Sequence, residues 1–278
     1  METLSKMSMP VVKFTPNGEY ICEYYSARDA SRKNNINLNV ILNCCNGKNI
    51  KNKQFLWKFK GDYNMFINKI GYSHLEKGSN NQDYGFIHNN IKCVVDGCSE
   101  GLHSEVGAKL FCHMYEDLGC PIVSTKDFFN VIFNSNIINN KPNNIKDFLL
   151  FTILFVEELE EHFVVYSCGD GIIIKQKYDD ILEYETIEQN NKPKYYAYNY
   201  ISEEYLSDYK NGVNFDLRYY KKDEYKSIGI ASDGLQYILN SEFKEEFEKS
   251  LINRKEFAIK RLINREHKLF KDDITIAF

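Results

Sequence analysis

Acidic residues at the ends of predicted strands are the part of this sequence best suited to chemistry. The run 93–97 (Cys-Val-Val-Asp-Gly) is apolar and ends in an acid and a glycine, which predicts a buried strand followed by a tight turn. Acids border three other apolar runs: Asp83, Asp233 and Asp272. One such acid is typical of an ordinary turn. Four of them, far apart in sequence, predict a site for Mg²⁺ or Mn²⁺, which prefer carboxylate, carbonyl and water oxygens.

The elements that must position these acids follow from hydrophobic patterning. Apolar runs at 148–156, 162–168 and 172–174, separated by short turns, predict the antiparallel strands of a sandwich. Helices are predicted from Ser104, over 124–138 and over 241–264. Residues 134–144 are Asn-rich and predict a loop, residues 61–70 a junction, and residues 175–226 one or two strands with a flap.

Charge divides the 278-residue chain into two modules. Residues 1–61 hold ten Lys and Arg against four Asp and Glu, whereas residues 62–278 hold 25 against 35. A basic head on an acidic body predicts separate partners, and an acidic body suits a cation site. The sequence contains no apolar run of membrane-spanning length and no signal-peptide core, and its eight cysteines lack metal-finger spacing. We expect a cytoplasmic protein with reduced cysteines and no membrane partner.

The basic head has its own small fold pattern. Strand-like runs flank Pro16-Asn17-Gly18, which predicts a β-hairpin. Ser26, with Asp29 three residues later, predicts the start of a short helix, and a second helix is predicted over 38–45. Two short helices with basic flanks indicate a helix-turn-helix-like unit.

The ordered set of motifs in residues 71–278 resembles the metal-dependent type-2C (PPM) protein phosphatases. The motifs are Gln82-Asp83, Val-Val-Asp-Gly at 94–97, Gly-Asp-Gly at 169–171, Ala-Ser-Asp-Gly-Leu at 231–235 and Asp-Asp-Ile-Thr-Ile at 272–276. Gly-Tyr-Ser-His at 71–74 is similar to the opening motif of the bacterial branch. The resemblance implies an α+β fold, in which two antiparallel sheets lie between layers of helices (α-β-β-α).

The resemblance also implies roles for individual residues. Asp96 would bridge two Mn²⁺ or Mg²⁺ ions, Asp83 and the Gly97 carbonyl would bind one of them, and Asp233 and Asp272 the other. Two further residues would have supporting roles: Asp147 for a third, weaker ion and Asp170 for structural support of the centre.

This sequence departs from the family pattern at two positions. Many members carry a phosphate-binding Arg five residues before the first aspartate, where this chain has Gly78; Lys77 or His74 could substitute. The eukaryotic branch has a general-acid His directly after Asp-Gly, where this chain has Cys98. His103 could protonate the leaving group instead, or could simply lie at a helix start.

The basic head is similar to the modular DNA-binding repeats found beside homing endonucleases. The resemblance lies in Asn-Gly-Glu-Tyr-Ile at 17–21, Ser-Ala-Arg-Asp-Ala-Ser at 26–31, the run 41–48 and Phe-Leu-Trp-Lys at 55–58. It implies phosphate contacts from Lys48, Lys51 and Lys53. The alternative is a small protein-docking module with a solvated basic face.

Together the two resemblances imply a serine/threonine phosphoprotein phosphatase with an accessory nucleic-acid-binding module. Its partners would be a phosphorylated protein substrate and DNA. The resemblance implies in-line attack by a water held between two cations. Two alternatives stay open: a catalytically weak phosphatase-like scaffold acting at DNA, and a metal-dependent phosphohydrolase of nucleotides or nucleic-acid ends.

Overall fold

The computed structural model describes residues 10–16, 20–46, 55–59, 64–88, 90–115, 121–135, 142–188, 194–201, 209 and 211–278. The chain separates into two compact units, Met1–Asn64 and Met65–Phe278. None of the helices in these described ranges is both long and apolar enough to cross a membrane. The lysines predicted to contact DNA, Lys48, Lys51 and Lys53, lie outside the described residues.

The N-terminal unit combines a three-stranded sheet with two helices. Strand β1 (Val11–Phe14) pairs antiparallel with both β2 (Tyr20–Tyr24) and β3 (Leu56–Phe59), so the predicted hairpin forms. Helices α1 (Ala27–Asn34) and α2 (Leu38–Cys45) follow β2. Ser26 caps α1 by accepting a hydrogen bond from the Asp29 amide, 3.0 Å away, as predicted. Whether this unit acts as a helix-turn-helix stays a prediction.

The larger unit contains two five-stranded antiparallel sheets in the residues that the structure describes. The first sheet comprises β4 (Phe66–Lys69), β9 (Gly171–Lys177), β10 (Leu182–Ile187), β12 (Tyr225–Ala231) and β13 (Ile274–Ala277). The second comprises β5 (Asp83–His88), β6 (Ile91–Gly97), β7 (Phe151–Glu158), β8 (His162–Cys168) and β11 (Asp216–Lys221). In the first sheet the strand order is β10-β9-β12-β13-β4, and in the second it is β11-β8-β7-β6-β5.

Helices cover the sandwich formed by the two sheets. In chain order they are α3 (Tyr72–Lys77), α4 (Ser104–Tyr115), α5 (Pro121–Asn134), α6 (Pro142–Leu149), α7 (Gln236–Leu239), α8 (Lys244–Ile252) and α9 (Glu256–Arg265). Short 3₁₀ turns occupy Tyr196–Tyr200, Asp233–Leu235 and His267–Leu269.

Two hydrophobic clusters hold these layers together. One lies between the sheets and contains Val94, Leu154, Ile173 and Ile230. The other joins the second sheet to α4–α6 and is rich in phenylalanine. Successive residues of a strand point to opposite faces, so Cys93 and Val95 face the helices while Val94 faces the opposite sheet. The predicted α+β class, with two antiparallel sheets between helices, is confirmed.

Several predicted elements have different boundaries in the structure. Residues 61–70, predicted as a junction, include β4, which pairs with β13. The segment 134–144, predicted as a loop, contains the end of α5 and the start of α6. The helix predicted over 241–264 is interrupted between α8 and α9, where Arg254 has φ 53°. These differences share a cause, since long-range packing and backbone reversal leave little periodicity in the local sequence.

Candidate metal centre

Two of the predicted acids face each other across neighbouring strands. Asp83 opens β5 and pairs in register with Asp96 at the end of β6. The Asp83 carboxylate is 3% exposed and accepts a hydrogen bond of 2.6 Å from the Ser232 hydroxyl. Ser232 also accepts a hydrogen bond from the Thr275 amide on β13, at 2.9 Å. This serine therefore links the first acid to the opposite sheet, where the other two acids lie.

Asp233 and Asp272 come from the first sheet. Asp233 begins the 3₁₀ turn after β12, and Asp272 lies just before β13. Gly234 makes their approach possible, because a Cβ there would lie 1.9 Å from the Asp273 carbonyl oxygen. Burial, together with the negative charges of Asp272 and Asp170, raises the pKa of Asp233 to about 6. Asp170 therefore lies close enough to Asp233 for its negative charge to raise the pKa of that carboxyl.

Burial and, after it, mutual repulsion among these carboxylates raise their pKa values. Burial holds the pKa of Asp96 well above its usual range, and the charges of Asp83, Asp233 and Asp272 add to the effect. Burial likewise raises the pKa of Asp83, together with the charge of Asp273. Buried carboxylates at such close quarters are stabilised by cations. The donor set, oxygen atoms only, fits the hard divalent ions Mg²⁺ and Mn²⁺.

Asp273 anchors the segment that leads to the first acid. Its carboxylate is 2% exposed and accepts hydrogen bonds from the Gly71 amide at 2.7 Å and the Gln82 amide at 2.6 Å. His74 Nδ1 lies 2.9 Å from Asp273 Oδ1, and its Nε2 lies 3.9 Å from Asp272 Oδ1. One ligand atom from each of these three residues falls within 4.8 Å of the others. The two neighbouring acids therefore have different positions. The Asp272 side chain is 42% exposed and faces the acid cluster, whereas Asp273 is buried and holds the backbone at Gly71 and Gln82.

The structure explains the glycine at position 78, where many members of the resembled family carry an arginine. Gly78 ends α3 in the left-handed conformation, with φ 67°, and its amide donates to the Leu75 carbonyl. A side chain at this φ would be strained, so the local backbone favours glycine over arginine. Lys77, predicted as a substitute, lies exposed in the last turn of α3.

The other predicted site residues have separate positions. Gly97 ends β6, where a Cβ would lie 2.8 Å from the Gln82 carbonyl oxygen. His103 is 55% exposed, and its ring lies 5.1 Å from that of Phe148. Asp147 lies near the end of α6, where its carbonyl accepts a hydrogen bond from the His103 amide at 2.8 Å. The roles of His103 and Asp147 stay predictions.

Comparison with known proteins now identifies the family. The family model described as protein phosphatase 2C matches residues 70–266. The chain belongs to this family. The match includes Asp83, Asp96 and Asp233, and the predicted enzyme class, a protein phosphatase, is confirmed. A search of curated proteins found no sequence match.

Solved structures of bacterial phosphatases are similar to this protein phosphatase 2C chain. A bacterial serine phosphatase with an arginine-to-alanine mutation gives a TM-score of 0.54 at 17% identity, over 77% of this chain and 96% of that one. The bacterial serine phosphatase without the mutation gives 0.51 at 15% identity, over 77% and 95%. The catalytic domain of the serine threonine protein phosphatase PstP, in complex with 2 manganese ions, gives 0.46 at 13%, over 77% and 96%. At these identities the likeness to the first two structures shows the fold alone.

Sequence reasoning missed two parts of the centre. The first is Ser232, whose hydroxyl connects Asp83 to β13. Its only signal was its place directly before Asp233. The second is the anchoring role of Asp273, whose partners Gly71 and Gln82 lie 202 and 191 residues away in sequence. Contacts of that separation leave no local pattern.

Proposed function

We propose that this protein phosphatase 2C member is a metal-dependent serine/threonine phosphoprotein phosphatase with two Mn²⁺ or Mg²⁺ ions. The residues that would hold them are Asp83, Asp96, the Gly97 carbonyl, Asp233 and Asp272, with Asp147 for a third ion. When bound, such a pair lowers the pKa of a shared water and stabilises charge on the phosphoryl oxygens during in-line displacement. The observation that carries the proposal is the convergence of four acids from two sheets, with raised pKa values at Asp83, Asp96 and Asp233.

The chain's own residues have three kinds of role in this proposal. Asp83 is held in place by Ser232, and Asp272 is positioned by its neighbour Asp273. His103, exposed after the Asp-Gly turn, is available to donate a proton to the leaving-group oxygen. His74 lies against Asp273, which supports a positioning role for it rather than direct contact with phosphate.

The proposed function is tested by a substrate panel on the full chain. We expect hydrolysis of an aryl phosphate and a phosphothreonine peptide with Mn²⁺ or Mg²⁺ and none with chelator. A nucleotide and 5′-phosphorylated DNA provide the comparison substrates. Preference for the DNA end would favour the nucleic-acid phosphohydrolase instead. Metal binding by calorimetry without turnover of any substrate would favour the catalytically weak scaffold. The glycine at position 78, in place of a phosphate-binding arginine, is the sequence feature that supports this alternative.

For the N-terminal unit we propose nucleic-acid binding through Lys48, Lys51 and Lys53. The excess of basic residues in 1–61 and the two short helices beside a small sheet support it. We expect full-length protein to bind duplex DNA at low salt, and replacement of the three lysines by serine to reduce the slope of log K against log salt by about three. An unchanged slope, measured by fluorescence anisotropy, would favour the protein-docking alternative.

A further inference from the structure

A groove runs along helix α4 beside the start of β5, next to the metal centre. Its volume is about 610 Å³, a size typical of ligand sites. Asp83 and Asn81 line it on the β5 side, and Val106, Lys109 and His113 line it on the helix side. Because Asp83 belongs to both the groove and the acid cluster, a molecule in the groove would reach the centre.

Charge is distributed unevenly along this groove. Near the centre, the Glu105 carboxylate accepts a hydrogen bond from the Asn80 side chain at 3.2 Å. About one turn further along α4, Lys109 Nζ lies 6.0 Å from the Tyr84 ring centroid. His113 Nε2 lies 3.4 Å from the Tyr84 hydroxyl, so Lys109 and His113 place the basic groups at the far end. Both side chains are exposed.

We propose that this groove binds the polypeptide beside the phosphorylated residue and favours an acidic side chain at its far end. The inference rests on the proposed phosphatase function and adds the substrate class. Eight residues of helix, from Glu105 to His113, rise about 12 Å. An extended peptide covers that length in about four residues. Lys109 lies about halfway along this length, so the preferred acid lies about two to four positions from the phosphorylated residue, opposite Lys109 and His113.

Asparagine side chains beside the centre suit the backbone of such a peptide. Asn68 and Asn81 line the groove and hydrogen-bond to each other. The Asn68 amide also donates to the Asp83 carbonyl at 2.9 Å and to the Thr275 hydroxyl at 3.0 Å, which fixes its orientation. On the helix side, Val106 is 46% exposed and offers an apolar contact. Asn68 uses both of its N–H groups in these bonds and holds Asn81 in place, while the Asn81 amide has a second N–H for a peptide carbonyl. One such donor and a small apolar surface bind a peptide with little dependence on its sequence, which leaves the charge at the far end to select.

The test uses two phosphothreonine peptides that differ only at the second to fourth residues on each side, which are Asp in one peptide and Lys in the other. For the wild-type full chain with Mn²⁺, we expect kcat/KM to favour the Asp peptide about three- to fivefold, because an exposed charge pair contributes modestly. Lys109→Glu should reverse this preference, and Lys109→Met should remove it. Aryl phosphate, which does not reach the far end, should be hydrolysed equally by all three proteins.

The control is Lys249→Glu, which makes the same charge change at an exposed position on α8. It should keep the wild-type preference. The proposal is wrong if Lys109→Glu keeps that preference too, or if it lowers aryl phosphate turnover as much as peptide turnover.

Anisotropy of the same peptides, fluorescently labelled, gives a second readout that needs no turnover. If the wild type hydrolyses none of the substrates but the binding preference reverses in Lys109→Glu, the groove proposal is supported and the phosphatase function is contradicted. If the wild type hydrolyses none of the substrates and the binding preference does not reverse, both proposals are contradicted.

Discussion

Asp96→Asn is expected to abolish metal-dependent phosphatase activity while making the metal-free protein more stable. Asp96 faces Asp83 across the β5–β6 pair, and the charges of Asp83, Asp233 and Asp272 all act on it. As the proposed bridging ligand it would contact both ions, so its loss should lower kcat/KM on the order of a thousandfold, about 4 kcal/mol. Hydrolysis of an aryl phosphate with Mn²⁺ measures this.

Stability measurements separate this explanation from simple misfolding. In chelator, removal of one charge from a group of mutually repelling carboxylates should raise the free energy of unfolding by about 1–2 kcal/mol. With metal at a hundred times its Kd, the wild type should gain about 2.7 kcal/mol and the variant far less. Asp223→Asn, at an exposed turn, is the matched control and should change neither quantity. Full activity in Asp96→Asn would contradict the bridging role.

Lys92→Met is expected to stabilise the protein, and more so at low pH. Lys92 is 4% exposed on β6. It lies two residues before Val94 and therefore on the same face of the strand, which meets the opposite sheet. Its amine donates a hydrogen bond of 2.7 Å to the Ile228 carbonyl of β12. Burial, together with the positive charge of Arg254, lowers the pKa of Lys92 from 10.5 to about 7. This depression corresponds to about 5 kcal/mol of unfavourable free energy when the amine is charged.

The sign of the pH dependence follows from proton binding in the two states. Below about pH 7, Lys92 is protonated in both the folded and the unfolded chain, so the full cost is present. Between pH 7 and 10.5 the unfolded state binds more protons, and the free energy of unfolding rises with pH. Lys92→Met removes the cost but leaves the Ile228 carbonyl without its donor, a loss of about 1–3 kcal/mol. We therefore expect a net gain of about 2–4 kcal/mol at pH 6.5 that falls towards zero at pH 9.5.

Urea unfolding in chelator measures this difference, because metal removal excludes the pH dependence of ion binding. Lys249→Met, on the exposed face of α8, is the matched control and should change the free energy of unfolding little at either pH. A gain of equal size at pH 6.5 and 9.5 would show that packing, not charge, explains the effect. A loss at both pH values would show that the hydrogen bond to Ile228 outweighs the buried charge.

Local sequence was sufficient to predict an element where one short segment contains all the residues that determine it. Ser26 followed by Asp29 predicted the start of α1, because the cap and the amide it accepts from are three residues apart. The apolar run that ends in Asp96 and Gly97 predicted the end of β6 in the same way. The acids at strand ends were visible for the same reason, since a strand and the turn after it are contiguous in sequence.

Elements that depend on distant partners escaped prediction. Strand β4 is four residues long and exists through its pairing with β13. The break between α8 and α9 places Arg254 in the left-handed region, while its guanidinium packs 3.8 Å from the centre of the Phe278 ring. A partner at the end of the chain gives no periodic signal around the break.

The sequence by itself determined which acids are candidates to bind cations and that each would lie at the end of a strand. Only the tertiary structure decided that Asp83 and Asp96 face one another, that Ser232 and Asp273 hold the centre, and that Lys92 is buried between the sheets. The physical reason is that residue type and spacing fix chemistry and local conformation, whereas the distance between two carboxylates depends on how the sheets pack. Packing combines contributions from the whole chain, and no single segment records it.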